Sequence, residues 1–248
     1  MSGKSLAGKT ALVTGAAKRI GRAISIALAD EGANIIVHYR GSEEEARELL
    51  NELARRGVKS WDVKADFEKP GEYESLIHRA LDLAGGIDIL VNSASIFPPE
   101  KLDEVTLAGL MTNIEVNAWA PFVLSRDFAS LAGKGHIVNI LDSRINDADW
   151  NHVGYILSKH VLSKMTDMMA IAYAPEIAVN AVAPGLILPP PGKDQEYIER
   201  LKNTVPLKKH GEADDIADAV VFLAKSSFIT GEVIYVDGGR HLKEYSNG

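Results

Sequence analysis

Thr10-Ala11-Leu12-Val13-Thr14-Gly15-Ala16-Ala17-Lys18-Arg19-Ile20-Gly21 is the stretch that decides the fold. Its first half, Thr10 to Thr14, is a short apolar run of strand character that ends on Gly15. Its second half opens a helix, because Ile20, Ala23, Ile24, Ala27 and Leu28 recur on one face at helical spacing until Gly32. A glycine turn between a strand and a helix aims backbone N–H groups and a helix N-terminus at one point, which suits a pyrophosphate. The usual dinucleotide pattern has three glycines; here Gly15 and Gly21 remain and Arg19 stands at the middle one. A plain strand-to-helix turn accounts for the same residues without a ligand.

The alternation continues outward from this turn. Asn34 to Tyr39 reads as a second apolar strand, followed by a helix through Leu49, Leu50 and Leu53 that Ser42 and Glu45 cap as a box and Gly57 stops. Ser60 to Ala65 reads as a strand, Tyr73 to Ala84 as a helix and Ile87 to Asn92 as a strand. A long helix follows over about Leu107 to Leu131, with Pro121 as its kink or break. His136 to Leu141, Ile177 to Val182 and Val233 to Val236 complete seven strands, and a helix over Val153 to Tyr173 lies among them. Near-continuous apolar strands alternating with helices predict a parallel sheet covered on both faces. The fold class is therefore α/β: a single Rossmann-type domain, doubly wound, with a parallel seven-stranded sheet. The domain spans 1–248, with 1–8 as a tail. Pro184 to Lys193 holds four prolines and two glycines, which excludes regular helix or interior strand. Together with the residues to 203 it reads either as a substrate-covering loop or as an irregular connection.

Composition narrows the chemistry. The chain has no cysteine, which excludes disulfides, thiolate nucleophiles and Cys-ligated zinc and fits a cytoplasmic protein. The seven histidines are scattered without a His-x-x-x-His pair, so no metal is expected. A net charge of −7 argues against a nucleic-acid partner. No apolar run nears the ~20 residues of a membrane span, and no apolar signal region opens the chain.

The strand ends carry the candidate site. After the second strand, His38-Tyr39-Arg40-Gly41-Ser42 has no acid for a ribose 2′-hydroxyl. Arg40 can instead pair with a 2′-phosphate and Ser42 can donate to it, with Arg19 adding charge, which favours NADP over NAD. A solvated arginine at a strand end is the plain alternative. Asp66 closes the third strand and Asn92-Ser93-Ala94-Ser95 the fourth, leaving room for a nucleoside, or serving as turn residues. Tyr155 and Lys159 lie four apart on one helix face. A tyrosine that ordinarily titrates near ~10 becomes a useful acid when an ammonium stabilises its phenolate.

In this order, Thr14 to Gly21, Asp66, Asn92 to Ser95, Asn117, Tyr155 with Lys159, Pro184-Gly185 and Asp237-Gly238-Gly239 resemble the short-chain dehydrogenase/reductase family over nearly the whole chain. The resemblance implies hydride transfer from a nicotinamide, with NADPH as the cofactor here, and a homotetramer. Arg19, Leu141-Asp142-Ser143 where the family's serine lies, Phe97 after the Asn-x-Ala-Ser turn, and the tail Asp237 to Leu242 further resemble the pteridine reductases and dihydromonapterin (dihydrofolate-type) reductases. That branch implies a pterin or folate-like substrate. It implies that Tyr155 protonates a ring nitrogen with Asp142 bonded to it and helping to supply the proton, if burial raises that carboxyl. Lys159 would hold the ribose, Phe97 would stack on the pterin, Arg19 and Ser95 would touch phosphate and pterin edges, and Asn117 would support a proton-relay water. Ile20, Ala94, Pro184 and Gly185 would border the cofactor and Leu186 the substrate. Shifted by one residue, Ser143 would be the usual serine and Asp142 a mere strand-end cap. The same Tyr-Lys pair also serves a carbonyl reductase such as a 3-oxoacyl thioester reductase, and a non-catalytic NADP-sensing protein would keep the fold.

Overall fold

The computed structural model describes residues 6–189 and 194–242. Seven strands form one sheet: β1 (Thr10–Val13), β2 (Asn34–Tyr39), β3 (Ser60–Lys64), β4 (Ile89–Asn92), β5 (Gly135–Ile140), β6 (Ile177–Pro184) and β7 (Val233–Val236). They pair in the order β3-β2-β1-β4-β5-β6-β7. Every pairing is parallel. The order reverses between β1 and β4, and open α/β sheets bind ligands at that switch point. β1, with all four residues buried, shows why the strands read as apolar runs.

Helices cover both faces. The helices α1 (Arg19–Asp30), α2 (Glu43–Arg55), α3 (Pro70–Glu74), α4 (Leu76–Ala84), α5 (Leu107–Ile114), α6 (Ala120–Ala132), α7 (Val153–Ala172), α8 (Gln195–Leu201) and α9 (Ala213–Lys225) follow in chain order. One core layer packs α1, α2 and α9 on the sheet through residues such as Ile24, Leu28, Leu49 and Val220. The other packs α4, α6 and α7 through Leu76, Leu124, Phe128 and Met169.

Four local readings are corrected. The Ser42–Glu45 box does not form: Ser42 has φ −102° and ψ 58° and makes no side-chain cap bond, and Glu45 reaches Lys18 at 2.5 Å instead. The helix expected over Tyr73–Ala84 is two pieces that meet at Ser75, whose hydroxyl donates back to Gly71 O. The long helix over 107–131 is interrupted by a π-turn, Glu115–Trp119, just before the expected break at Pro121, which has no N–H to carry the ladder back into that turn. Pro184 does continue an interior strand, as the last residue of β6 opposite Val236, and Gly185 N–H restores the ladder by donating to Val236 O. Of the expected substrate loop 186–203, Pro190 to Lys193 lie outside the described residues; 195–201 is α8.

Candidate active site

The glycine loop is held by its neighbours. Gly15 adopts φ +65° and Cα of Ala94 would sit 2.9 Å from a Cβ there. At Gly21 a Cβ would meet the Gly15 carbonyl oxygen at 2.3 Å, so both positions exclude a side chain. Arg19 takes φ +55° without being glycine, a strain of about 1 kcal/mol, while its guanidinium donates to Pro189 O at 2.8 Å. No side chain caps α1, so its first amides are available to an anionic ligand. Thr14 Oγ1 accepts from Ser93 N and Ala94 N at 2.9 and 3.0 Å, which locks the ends of β1 and β4 together.

Two adjoining cavities open here. One, of about 410 Å³, is bordered by Gly15, Tyr39, Arg40, Ser42 and Asp66. Arg40 turns to Glu68 at 2.6 Å and, more loosely, to Asp66 at 3.9 Å. Tyr39 is buried, with its hydroxyl donating to Asp62 at 3.1 Å. His38 supports the loop from behind: Gly15 N–H donates to its Nδ1 at 3.1 Å and its Nε2 bonds Ala65 O at 3.1 Å. Burial lowers this imidazole to about 4, so it stays neutral. The glycines, the uncapped helix and the Arg40-Gly41-Ser42 corner, where Arg40 can exchange Glu68 for a phosphate, fit a phosphorylated dinucleotide.

The larger cavity, about 470 Å³, gathers the candidate chemical groups. Arg19, Ile20 and Gly21 border it, as do Pro184, Gly185 and Leu186. Phe97, Asp142, Tyr155 and Lys159 line it, and Ala94 and Ser95 border both cavities. Tyr155 donates to Asp142 Oδ2 at 3.1 Å. Ser143, one residue on, is turned inward: its hydroxyl is buried without a hydrogen-bond partner. Burial, then the charge of Asp142, pushes the Tyr155 hydroxyl well above the ordinary tyrosine value. The expected lowering by Lys159 is not what the site does. The ammonium lies 5.7 Å from the Tyr155 ring centre, donates to Ile140 O at 2.8 Å, and is itself brought down by burial to about 8.

The Asp142 carboxyl also departs from expectation. Burial would raise it, but Arg144 outweighs burial and holds it below the usual aspartate range. Arg144 binds both carboxylate oxygens, through Nε to Oδ1 at 3.0 Å and Nη2 to Oδ2 at 2.9 Å. Its Nη1 donates to Asp149, which also bonds His152 Nδ1 at 3.0 Å. His152 stacks on Phe97 with ring centres 3.9 Å apart, and Tyr155 meets Phe97 edge-on at 4.5 Å. One face of Phe97, expected to stack on a pterin, is thus covered by an imidazole.

Asn92 and Asn117 line neither cavity. Asn92 spends its amide on Asn139 and Ser125 inside the core. Asn117, in the π-turn, accepts from Ser95 and from Ile96 N and donates to Ser158 Oγ at 3.1 Å, so it ties the Phe97 loop to α7. Sequence reasoning missed Arg144, Asp149, His152 and Arg240, which also borders the larger cavity. The crowding of Asp142, Arg144, Asp149 and His152 before the Tyr155 helix was the available signal. Among the described residues no cluster suits a metal, and no helix is long and apolar enough to cross a membrane.

Residues 15–241 match the family described as enoyl-(acyl carrier protein) reductase. The chain belongs to the short-chain dehydrogenase/reductase family. Its members are oxidoreductases that use a nicotinamide cofactor. The family includes a 3-oxoacyl-[acyl-carrier-protein] reductase of Staphylococcus epidermidis, 32% identical over 94% of this chain and 99% of the relative. An alternative dihydrofolate reductase from Brucella suis, FolM, solved with NADP, superposes with a TM-score of 0.91 at 34% identity over 96% of this chain and 97% of that one. A blue fluorescent protein from a metagenomic library, solved with NADPH, superposes with a TM-score of 0.89 at 32% identity over 96% of this chain and 99% of that one.

Proposed function

We propose that the chain is an NADPH-dependent reductase of a pterin or dihydropteridine, of dihydromonapterin, dihydrobiopterin or dihydrofolate type. The observation that carries the reading is the Tyr155 hydroxyl bonded to Asp142 while Ser143 faces the core. A carbonyl reductase of the serine type would aim the serine at the tyrosine; here a carboxylate holds that place beside an aromatic plate, Phe97. The likeness to the dihydrofolate reductase solved with NADP supports it.

The bound nicotinamide supplies a hydride. Gly15, Arg19, Ile20 and Gly21 would hold the pyrophosphate, and Arg40 and Ser42 a 2′-phosphate, Arg40 exchanging Glu68 for it. His38 and Tyr39 would shape that pocket from behind, with Asp66, Ala94 and Ser95 beside the nucleoside. Asn92 and Asn117 would act by fixing the loop that carries Ser95 and Phe97. Lys159 would hold the ribose, and Pro184, Gly185 and Leu186 would border the nicotinamide and substrate. Tyr155 delivers the proton to the ring nitrogen, and Phe97 stacks on the pterin once His152 yields its face. The protein would work in the cytoplasm as a homotetramer.

A second reading, a 3-oxoacyl thioester reductase, is favoured by the Staphylococcus relative. A spectrophotometric panel separates the two. NADPH should be consumed with dihydropterins or dihydrofolate and little with NADH in its place. Turnover of acetoacetyl thioesters with none of any pterin overturns the pterin reading.

A further inference from the structure

We propose that Arg144, clamped between Asp142 and Asp149, is a positioning residue that keeps Asp142 an anionic acceptor for the Tyr155 hydroxyl, so that the proton given to substrate is Tyr155's own. The proposal rests on the reductase reading of Tyr155 and not on the identity of the substrate.

The geometry is specific. The Arg144 backbone N–H bonds Asp142 Oδ1 at 2.9 Å, and its guanidinium bonds both oxygens, sharing Oδ2 with the Tyr155 hydroxyl. A two-pronged pair of this kind fixes the carboxylate plane. The Asp142 and Asp149 side chains are 14% and 6% exposed, so their charges need this partner. Asp149 holds the far nitrogen of Arg144 at the cavity wall and takes two further donors, Asn151 N at 2.9 Å and His152. The charged and titratable groups around Asp142 are Arg144 from its own connection, Tyr155 and Lys159 from α7, and Asp149 beyond Arg144; His152, Lys18, Arg19 and Arg240 border the same cavity.

The consequence is a division of labour. In each turnover the Tyr155 O–H bond breaks and an N–H bond forms on the substrate, while the hydride reaches carbon. Asp142 neither gains nor loses a proton, and the phenolate is reprotonated from solvent. A phenolate beside an anionic carboxylate is costly, so Tyr155 gives its proton only against the charge that hydride transfer creates on the substrate. The site is therefore built for reduction.

The test is Arg144→Gln, with Arg144→Lys as the conservative rescue. With Arg144 gone, burial acts on Asp142 unopposed. The acid limb of kcat should move up by about one pH unit or more and kcat at neutral pH should fall about tenfold or more. Lysine should restore part of both. The limb should persist when His152→Asn is added, which removes the imidazole as its source. Thermal unfolding without substrate gives an independent reading: the destabilisation by Arg144→Gln should shrink as pH falls from 7 to 5, since the stranded carboxylate takes up a proton. A rise in kcat at neutral pH would make Asp142 a proton carrier and overturn the proposal. So would a stability loss that is constant with pH, which marks an arginine of structural value only. Absence of any pterin turnover, with the thermal behaviour as expected, counts against the substrate alone.

Discussion

Tyr155 keeps its proton because burial and Asp142 both oppose the phenolate. Tyr155→Phe should therefore remove the donor and lower kcat by about 10²–10⁴-fold while leaving NADPH affinity nearly unchanged, checked by steady-state rates and cofactor titration. Arg40 is the residue on which cofactor choice turns, since no acid lies among Arg40, Gly41 and Ser42. Arg40→Ala should raise KM for NADPH about tenfold and leave the NADH value little changed; equal effects on both would remove the 2′-phosphate contact. Lys159 is buried with its ammonium lowered to about 8, from 10.5 in the unfolded chain. The unfolded chain therefore binds more protons between those values, and stability rises with pH across that window. The cost, roughly 3 kcal/mol, is fully present below pH 8 and is gone above 10.5. Lys159→Met should flatten the melting temperature across that range. The Tyr155–Lys159 spacing was readable because four residues make one helical face. The choice of Asp142 over Ser143 was readable only through the family resemblance, because one residue at the exit of β5 decides which side chain faces the cavity.

At the level of elements, the strands were legible and the helix ends were not. Buried parallel strands write themselves as unbroken apolar runs, as Ile35, Ile36 and Val37 do. Helix ends depend on which partner wins a side chain, and Lys18 took Glu45 from the cap that Ser42 would have shared. The π-turn at Glu115–Trp119 leaves no trace in apolar spacing, because the helix continues on both sides of it. The brace between β2 and the glycine loop has its own pH signature. His38 is lowered to about 4 in the fold against 6.5 unfolded. The unfolded chain binds the extra proton between these values, so stability falls as pH drops from 6.5 to 4, by roughly 3 kcal/mol. A urea titration of His38→Gln should lose that slope; an unchanged slope would assign it elsewhere. Gly185 should tolerate no side chain, since a Cβ would lie 2.4 Å from Cβ of Asp237; Gly185→Ala should lower the melting temperature and weaken NADPH binding together.

For the molecule as a whole, alternation predicted a parallel seven-stranded sheet covered on both faces, whereas the order β3-β2-β1-β4-β5-β6-β7 and the crevice where it reverses are read from the structure. The proposed tetramer has candidate surfaces in apolar side chains left outside: Ile171 is 83% and Met168 63% exposed on α7, and Phe228 is fully exposed. Sedimentation should give four copies, and Ile171→Asp or Phe228→Asp should lower that number; a wild-type monomer would leave these residues unexplained. The connection between β5 and α7 differs in kind from the scaffold around it. Asp142, Arg144, Asp149 and His152 bind mainly one another and Phe97. A cluster that bonds largely within itself should behave as a cassette: residues 142–152 should be exchangeable among relatives that keep its few anchors, Asn146 on Tyr235, Asn151 on Glu100 and Ile145 in the core. Transplanted into a serine-type relative along with Phe97, the cassette should carry its acid–base character with it, and the pH profile of the chimaera would read out the transfer.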